Sequence, residues 1–336
     1  MIISSEHEDG RGPGGFAFRL ALALFLISAM AAPGNAYAGS CCGGGGGPAL
    51  ILPKLQSRMW DASAELEIYD GYWGRGGKWL PDPKGSHLSQ SRLNAGYARR
   101  LADNWQTSVI LPLIYNDNQY QSQSSATHGL GDITAGIMYE AFDTAMCVWS
   151  VETWRDLAPA PYFGLTLTIP TGVSPFDDAQ RSWDVTGRGF YRLDAVAVVE
   201  KTVWPWTLTL SYSYGVHMER PVNREYGDWV EPYHKKLGDR RLYSITGAYT
   251  RFMSTDDSLT FALGYSDLWE GAAMAGAYPD PGSGFRKSAL SANISFSNVD
   301  KSFIARIGWN RAMKGNGWGE NFPVTDILSL GVSYAY

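Results

Sequence analysis

Residues 326–336 read DILSLGVSYAY, setting apolar Leu328, Leu330, Val332, Tyr334 and Tyr336 against small Ser329, Gly331, Ser333 and Ala335. A period of two sends successive side chains to opposite faces of a strand, so one face meets an apolar phase and the other a narrow, polar space. The pattern recurs along the chain. Trp60, Ala62, Ala64, Leu66 and Ile68 oppose Asp61, Ser63, Glu65 and Glu67, and Leu93, Ala95 and Tyr97 oppose Arg92, Asn94 and Gly96. Trp206, Leu208, Leu210, Tyr212 and Tyr214 oppose Thr207, Thr209, Ser211 and Ser213, while Leu290, Ala292, Ile294 and Phe296 oppose Ser291, Asn293, Ser295 and Ser297. Acidic residues as regular as Glu65 and Glu67 cannot face lipid and must face water.

The chain has 336 residues, of which 18% are charged and 13% aromatic, with 38 Gly and 13 Trp. That balance points to an all-β protein meeting an apolar phase. Beyond the N-terminal region no stretch offers the roughly 20 uninterrupted apolar residues of a spanning helix. A barrel reconciles these facts, because only every second residue has to face lipid. Counting the alternating segments, with a less tidy one near 189–199, gives about 12 strands of a transmembrane antiparallel up-and-down β-barrel, an even number that puts both chain ends on the periplasmic side. Short connections at 204–205, 254–257 and 298–301 alternate with long polar ones at 69–87, 116–128, 173–186, 217–239, 267–287 and 311–325, expected as loops on the outer side. Aromatics at strand ends form two expected girdles: Trp60, Trp105, Tyr139, Trp206, Tyr249, Phe303 and Tyr336 on one rim, Tyr191, Tyr214, Tyr243, Tyr265 and Trp309 on the other. A formal net charge of −5 argues against nucleic acid as a partner.

Residues 20–32 (LALALFLISAMAA) follow Arg11 and Arg19 and precede Ala36, Tyr37 and Ala38, which predicts a signal peptide over 1–38. A Cys/Gly-rich periplasmic leader over 39–54 then precedes the barrel at 55–336. The leader carries Cys41 and Cys42 beside a run of Gly that can pack no core. Three readings stand open: a soft-metal site, lipidation of Cys41, or a disulfide from one of the pair to Cys147 in the oxidising periplasm.

Residues 129–140 (GLGDITAGIMYE) follow a strand at 104–112 that runs from Asn104 and Trp105 to Pro112, and they precede 165–172 (LTLTIPTG). With Gly-Leu-Gly-Asp at a strand start and Pro-Thr-Gly at a strand end, in that order, the chain resembles the phenol-degradation meta-pathway family of outer-membrane β-barrel transporters. The resemblance implies the bacterial outer membrane as location and a small, hydrophobic or aromatic solute as cargo. The tail at Tyr336 resembles the terminal aromatic that the barrel insertion machinery reads. Residues 143–161, with Cys147, Trp149 and Trp154, are longer than a turn of this family. Gly129 and Gly131 suit a tight start to a strand, and Pro170 with Gly172 its exit.

Charges expected to line the lumen are Glu65, Glu67, Arg92, Asp132, Arg192, Asp194 and Arg306. They serve either as a selectivity lining or as a salt-bridged filling of a narrow barrel. His87 and Ser89 share the outward parity of Leu93, as in an outer-membrane lipid hydrolase, but no outward Asn or Asp is read beside them as an orienting group. His128, His217 and His234 lack ligand spacing and read as solvated. No Cys-x-x-Cys-His occurs and no cofactor is expected. The sequence therefore predicts a non-enzymatic channel or transporter, partnered by outer-membrane lipid, the insertion machinery and a small solute. The alternatives are a non-conducting barrel that scaffolds a periplasmic partner through its leader, and the lipid hydrolase.

Overall fold

The computed structural model describes residues 50–53, 56–141, 147–177, 179–298, 301–320 and 322–336. The signal peptide, Cys41, Cys42 and most of the leader lie outside the described residues. The described chain is a closed antiparallel barrel of 12 strands with extra short strands. In chain order these are β1 (Arg58–Trp73), β2 (His87–Ala102), β3 (Trp105–Tyr120) and β4, which has two parts (Gln123–Leu130 and Ile133–Glu140). Then come β5 (Ala160–Ile169), β6 (Arg192–Val203), β7 (Trp206–His217), β8 (Arg240–Phe252) and β9 (Asp257–Glu270). The ring ends with β10 (Phe285–Asn298), β11 (Phe303–Gly319) and β12 (Phe322–Ala335).

Each strand pairs with its neighbours in sequence, and β12 closes on β1 through Trp60↔Tyr334, Ala62↔Val332 and Ala64↔Leu330. Closure leaves the ring of described strands without a free edge. The terminal residue takes part: the Tyr336 carbonyl accepts from the Ser57 N–H at 3.0 Å and the Arg58 N–H at 2.9 Å. Tertiary pairing bears out the period of two. Leu208, Leu210, Tyr212, Ile245, Leu263, Leu290, Ile294 and Leu328 are exposed on the outer wall, whereas Glu67, Arg92, Asn116 and Asp194 are buried inside. At the short-turn end, aromatic pairs Trp60–Tyr97, Trp105–Tyr139 and Trp206–Tyr249 lie 4.6, 4.9 and 4.9 Å apart.

Leu210 is 43% exposed on this wall, while its neighbour Thr209 turns inward and donates to Glu200 at 3.0 Å. Leu210→Arg is expected to cost about 2–4 kcal/mol of insertion free energy near the bilayer midplane, and Thr209→Arg much less. Folded yield in liposomes checks this, and equal tolerance would refute the facing.

The long polar connections are not plain loops. Strand β1 runs on to Trp73, β3 to Tyr120 before β4 resumes at Gln123, and β11 to Gly319 before β12 starts at Phe322. Residues 217–239 and 267–287 hold a separate four-stranded sheet of Arg220–Glu225, Asp228–Lys236, Ala273–Ala275 and Tyr278–Asp280. Above an apolar band both faces of a ribbon meet water, so alternation fades while ladder hydrogen bonds continue.

The long connection 143–161 is anchored to the barrel. Cys147–Val148 pairs in parallel with Thr202–Val203, beyond the point where β5 ends its ladder on β6. The Trp204 N–H donates to the Val148 carbonyl at 2.8 Å, and Trp149 lies 5.2 Å from Trp204. A turn over Trp154–Leu157 is capped by Asp156, which accepts from the Thr153 N–H at 2.7 Å and the Glu152 N–H at 3.0 Å.

Candidate channel interior

Six of the seven sequence-predicted charges sit on strands of the barrel and Asp132 sits at the break in β4; they fall into separate groups. Arg92 is the hub of one: it donates to Glu65 at 3.0 Å, to Glu67 and to Gln90 Oε1 at 3.0 Å. Ladder register brings them together, since Glu65↔Arg92 and Glu67↔Gln90 are cross-strand partners. Arg306 reaches across β12 to Asp61 at 2.7 Å and to Ser333 Oγ at 2.8 Å. Arg192 pairs with Asp194 at 2.8 Å two residues along its own strand.

Asp132 does something the sequence did not foretell. The segment after β5 turns back into the barrel, and Asp132 holds it at both ends, accepting from the Gly172 N–H at 3.2 Å and the Arg188 N–H at 2.7 Å. Thr171 completes the clamp by donating to the Gly131 carbonyl at 2.6 Å and accepting from the Ile133 N–H at 3.2 Å. The two motifs therefore meet. Gly131 marks the break between the two parts of β4, and a Cβ there would lie 2.7 Å from Ile114 Cδ1 and 2.9 Å from Pro112 Cγ, so the close approach to β3 favours glycine.

The clamped segment spans the lumen. On one wall, buried Asn116 donates to the Val185 carbonyl at 3.1 Å and Asn118 to the Trp183 carbonyl at 2.6 Å. Asn116 also accepts from Gln90 at 2.9 Å, linking the segment to the Arg92 cluster. On the other wall Arg188 makes two 2.6 Å bonds to Glu270, which is 1% exposed. These walls are β3 and β9, opposite positions in a ring of 12. Arg188, Glu270 and buried Arg240 were absent from the sequence-predicted lining. Each lies near a strand end or in a connection, where alternation gives no signal.

Above this segment, at the long-loop end, lies a cavity of about 630 Å³. Tyr69, Tyr72, Tyr120, Phe176 and Trp183 line it with Lys235 and Asp82. Tyr120 and Trp183 stack at 5.1 Å, and Lys235 Nζ lies 5.0 Å from the centre of the Phe176 ring. Burial raises the Asp82 carboxyl above its ordinary range, against the pull of the Gly71 N–H that it accepts at 3.1 Å.

The short-turn end is covered by the chain's own N-terminal side. Leu52, 2% exposed, packs with inward-facing Met59, Ala98 and Ala335, joined by Leu50. Ile51 packs against Met138, Ala160, Tyr162, Val196 and Val198 on the inner faces of β4, β5 and β6. The Leu52 N–H donates to Gln106 Oε1 at 2.7 Å, and Gln106 in turn donates to Glu140 at 3.1 Å. Part of the predicted leader is thus a packed element of the lumen.

Neither insert covers the inner wall of β7 to β10. Thr207, Thr209, Ser211, Ser244, Thr246, Thr260 and Ser295 face inward there and keep partial exposure, and inward Asn293 is exposed outright. Small hydroxylated side chains leave volume and hydrogen-bond to water or to each other, as Ser211 and Ser244 do at 2.7 Å.

No family model and no curated protein matches the chain. Among solved structures it is similar to the COG4313 outer membrane channel from Pseudomonas putida F1, with 14% identity, a TM-score of 0.60, and coverage of 87% of this chain and 99% of that one. The translocator domain of autotransporter NalP from Neisseria meningitidis aligns at 12% identity and a TM-score of 0.43, over 96% of this chain and 97% of that chain. The NanC porin aligns at 10% identity and a TM-score of 0.43, over 82% and 98%. At these identities the likeness to the COG4313 channel is one of fold.

Two readings of side chains need correction. An outward carboxylate does stand beside Ser89, because Asp117 is its cross-strand partner; however, the Ser89 hydroxyl donates to the Asp117 main-chain carbonyl at 3.2 Å. His217 is not solvated: it is 2% exposed, with Nδ1 2.8 Å from the Gly238 carbonyl and its ring edge-on to Phe190. It falls on an inward position of β7, and the strand runs three residues past the alternation that had marked it. His128 and His234 are exposed.

Proposed function

We propose that this chain is a passive outer-membrane channel for a small solute with aromatic or other apolar character. The observation that carries the reading is the partly exposed, hydroxyl-lined inner wall of β7 to β10, which offers water a path past both inserts. Support for the solute class comes from the aromatic cavity at the long-loop end and from the motif resemblance. The fold likeness to a protein described as an outer membrane channel is consistent with this. Solute would gather in the cavity, pass Arg188 and Glu270, and leave along Asn293, Thr246 and Thr207. The short turns would face the periplasm and the long ribbons the exterior.

A matched pair of substitutions tests the path. Asn293→Trp fills the hydroxyl-lined side of the lumen, whereas Leu263→Trp, one strand away on the outer wall, leaves it open. Single-channel recordings of refolded protein should show a severalfold fall in conductance for Asn293→Trp and none for Leu263→Trp. The two segments folded into the lumen, 172–188 and 50–52, favour a second reading, a non-conducting scaffold. Absence of any conductance in the wild-type barrel would remove the channel reading.

A further inference from the structure

The outer wall of a barrel is convex, yet on one side it carries an apolar groove of about 580 Å³. Its floor is Val199 and Val203 of β6, Leu208 and Leu210 of β7 and Gly247 of β8, with Leu157 and Pro159 of the 143–161 connection beside them. The groove exists because that connection is tied down at both ends, by Cys147–Val148 on β6 and by the pairing of Ala160 with Glu200, and stiffened by the Asp156 cap. The floor dips at Gly247, where an added Cβ would meet no atom within 4 Å. Among the described lining residues one cation breaks the apolar face. Lys201 lies in the groove, opposite Leu208 in the ladder and two residues from the strand end. Trp206, 63% exposed, stands at the same end.

We infer that this groove is a phospholipid site, holding one acyl chain along Val199, Leu208 and Leu210 over Gly247, with the headgroup phosphate at the Lys201 ammonium. The inference rests on the reading that the outer wall faces lipid. An apolar trough continuous with the exposed belt of Leu208, Leu210 and Ile245 takes a hydrocarbon chain. A lysine on that face, near the barrel rim, extends its stem along the apolar surface and keeps its charge at headgroup level. An anionic diacyl lipid satisfies both features at once. Asp156 lies close enough to feel the Lys201 charge, but its Oδ2 is turned to the Thr153 and Glu152 N–H groups, which leaves the ammonium a place for a phosphate oxygen.

The test uses the full-length protein refolded into vesicles of phosphatidylcholine with a minor fraction of phosphatidylglycerol, then released into mild detergent for native mass spectrometry. Wild type should retain one phosphatidylglycerol. Gly247→Leu, which fills the trough without a backbone clash, should lower retention of any diacyl lipid about tenfold. Lys201→Gln should abolish the preference for phosphatidylglycerol over phosphatidylcholine while leaving chain binding in place. Retention by Gly247→Leu equal to wild type overturns the site, as does an undiminished headgroup preference in Lys201→Gln. Protein that fails to insert into the vesicles at all would instead overturn the membrane-barrel reading, an outcome separate from loss of the site.

Discussion

Replacing Leu50, Ile51 and Leu52 together by Ser should raise the single-channel conductance severalfold. These side chains pack on the inner faces of β1, β2 and β12 and of β4 to β6. Leu52 is fully buried and Ile51 and Leu50 partly so. Burial of such side chains is worth about 1.5–3 kcal/mol each when complete, and among the described residues the backbone of 50–52 adds a hydrogen bond from Leu52 to Gln106. Removing most of that hydrophobic term leaves a hydrogen bond worth about 1 kcal/mol against the entropy of ordering these residues, which is insufficient to hold the segment in place. Protease digestion from the short-turn side should then cut within 50–56 in the variant and spare the wild type. Cleavage without any change in conductance would show that the segment does not obstruct the path.

The second large effect concerns stability. Arg92→Met should destabilise the folded barrel by about 3–5 kcal/mol, the range expected when one partner of a buried ion pair is removed. Its guanidinium serves Glu65, Glu67 and Gln90 together, and Glu67 is 1% exposed. Without the cation two carboxylates face each other across one residue of the same strand. Adding Glu67→Gln removes one of the two charges, so the double variant should regain part of the loss. Denaturant titration of the barrel in lipid vesicles measures both, and an Arg92→Met variant as stable as wild type would show that water already screens the cluster.

Much of this was legible in the residue order. The strand number, the closing role of 326–336 and the direction of Leu210 against Thr209 followed from a period of two, because a barrel wall separates two solvents and writes both into every strand. The same rule is the basis for assigning Glu65, Glu67, Arg92, Asp132, Arg192, Asp194 and Arg306 to the inner side. What parity cannot supply is partner identity, which depends on register between strands far apart in sequence, as with Arg306 and Asp61. Nor can it follow strands beyond the apolar band, where both faces are wet; that is why the ribbons at Tyr120 and Gly319, and buried His217, were read as loop or surface.

The sequence by itself determined the wall: alternation is local, so each strand declares its faces without knowledge of any other. Only the tertiary structure decided what occupies the interior. Asp132 meets Gly172 and Arg188, Ile51 and Leu52 turn into the short-turn end, and Arg188 reaches Glu270 on the opposite wall. These contacts join segments with no periodicity of their own. They form because a closed ring leaves buried polar groups and apolar surface on its inner side, and the nearest chain able to satisfy both is the one that folds back inside.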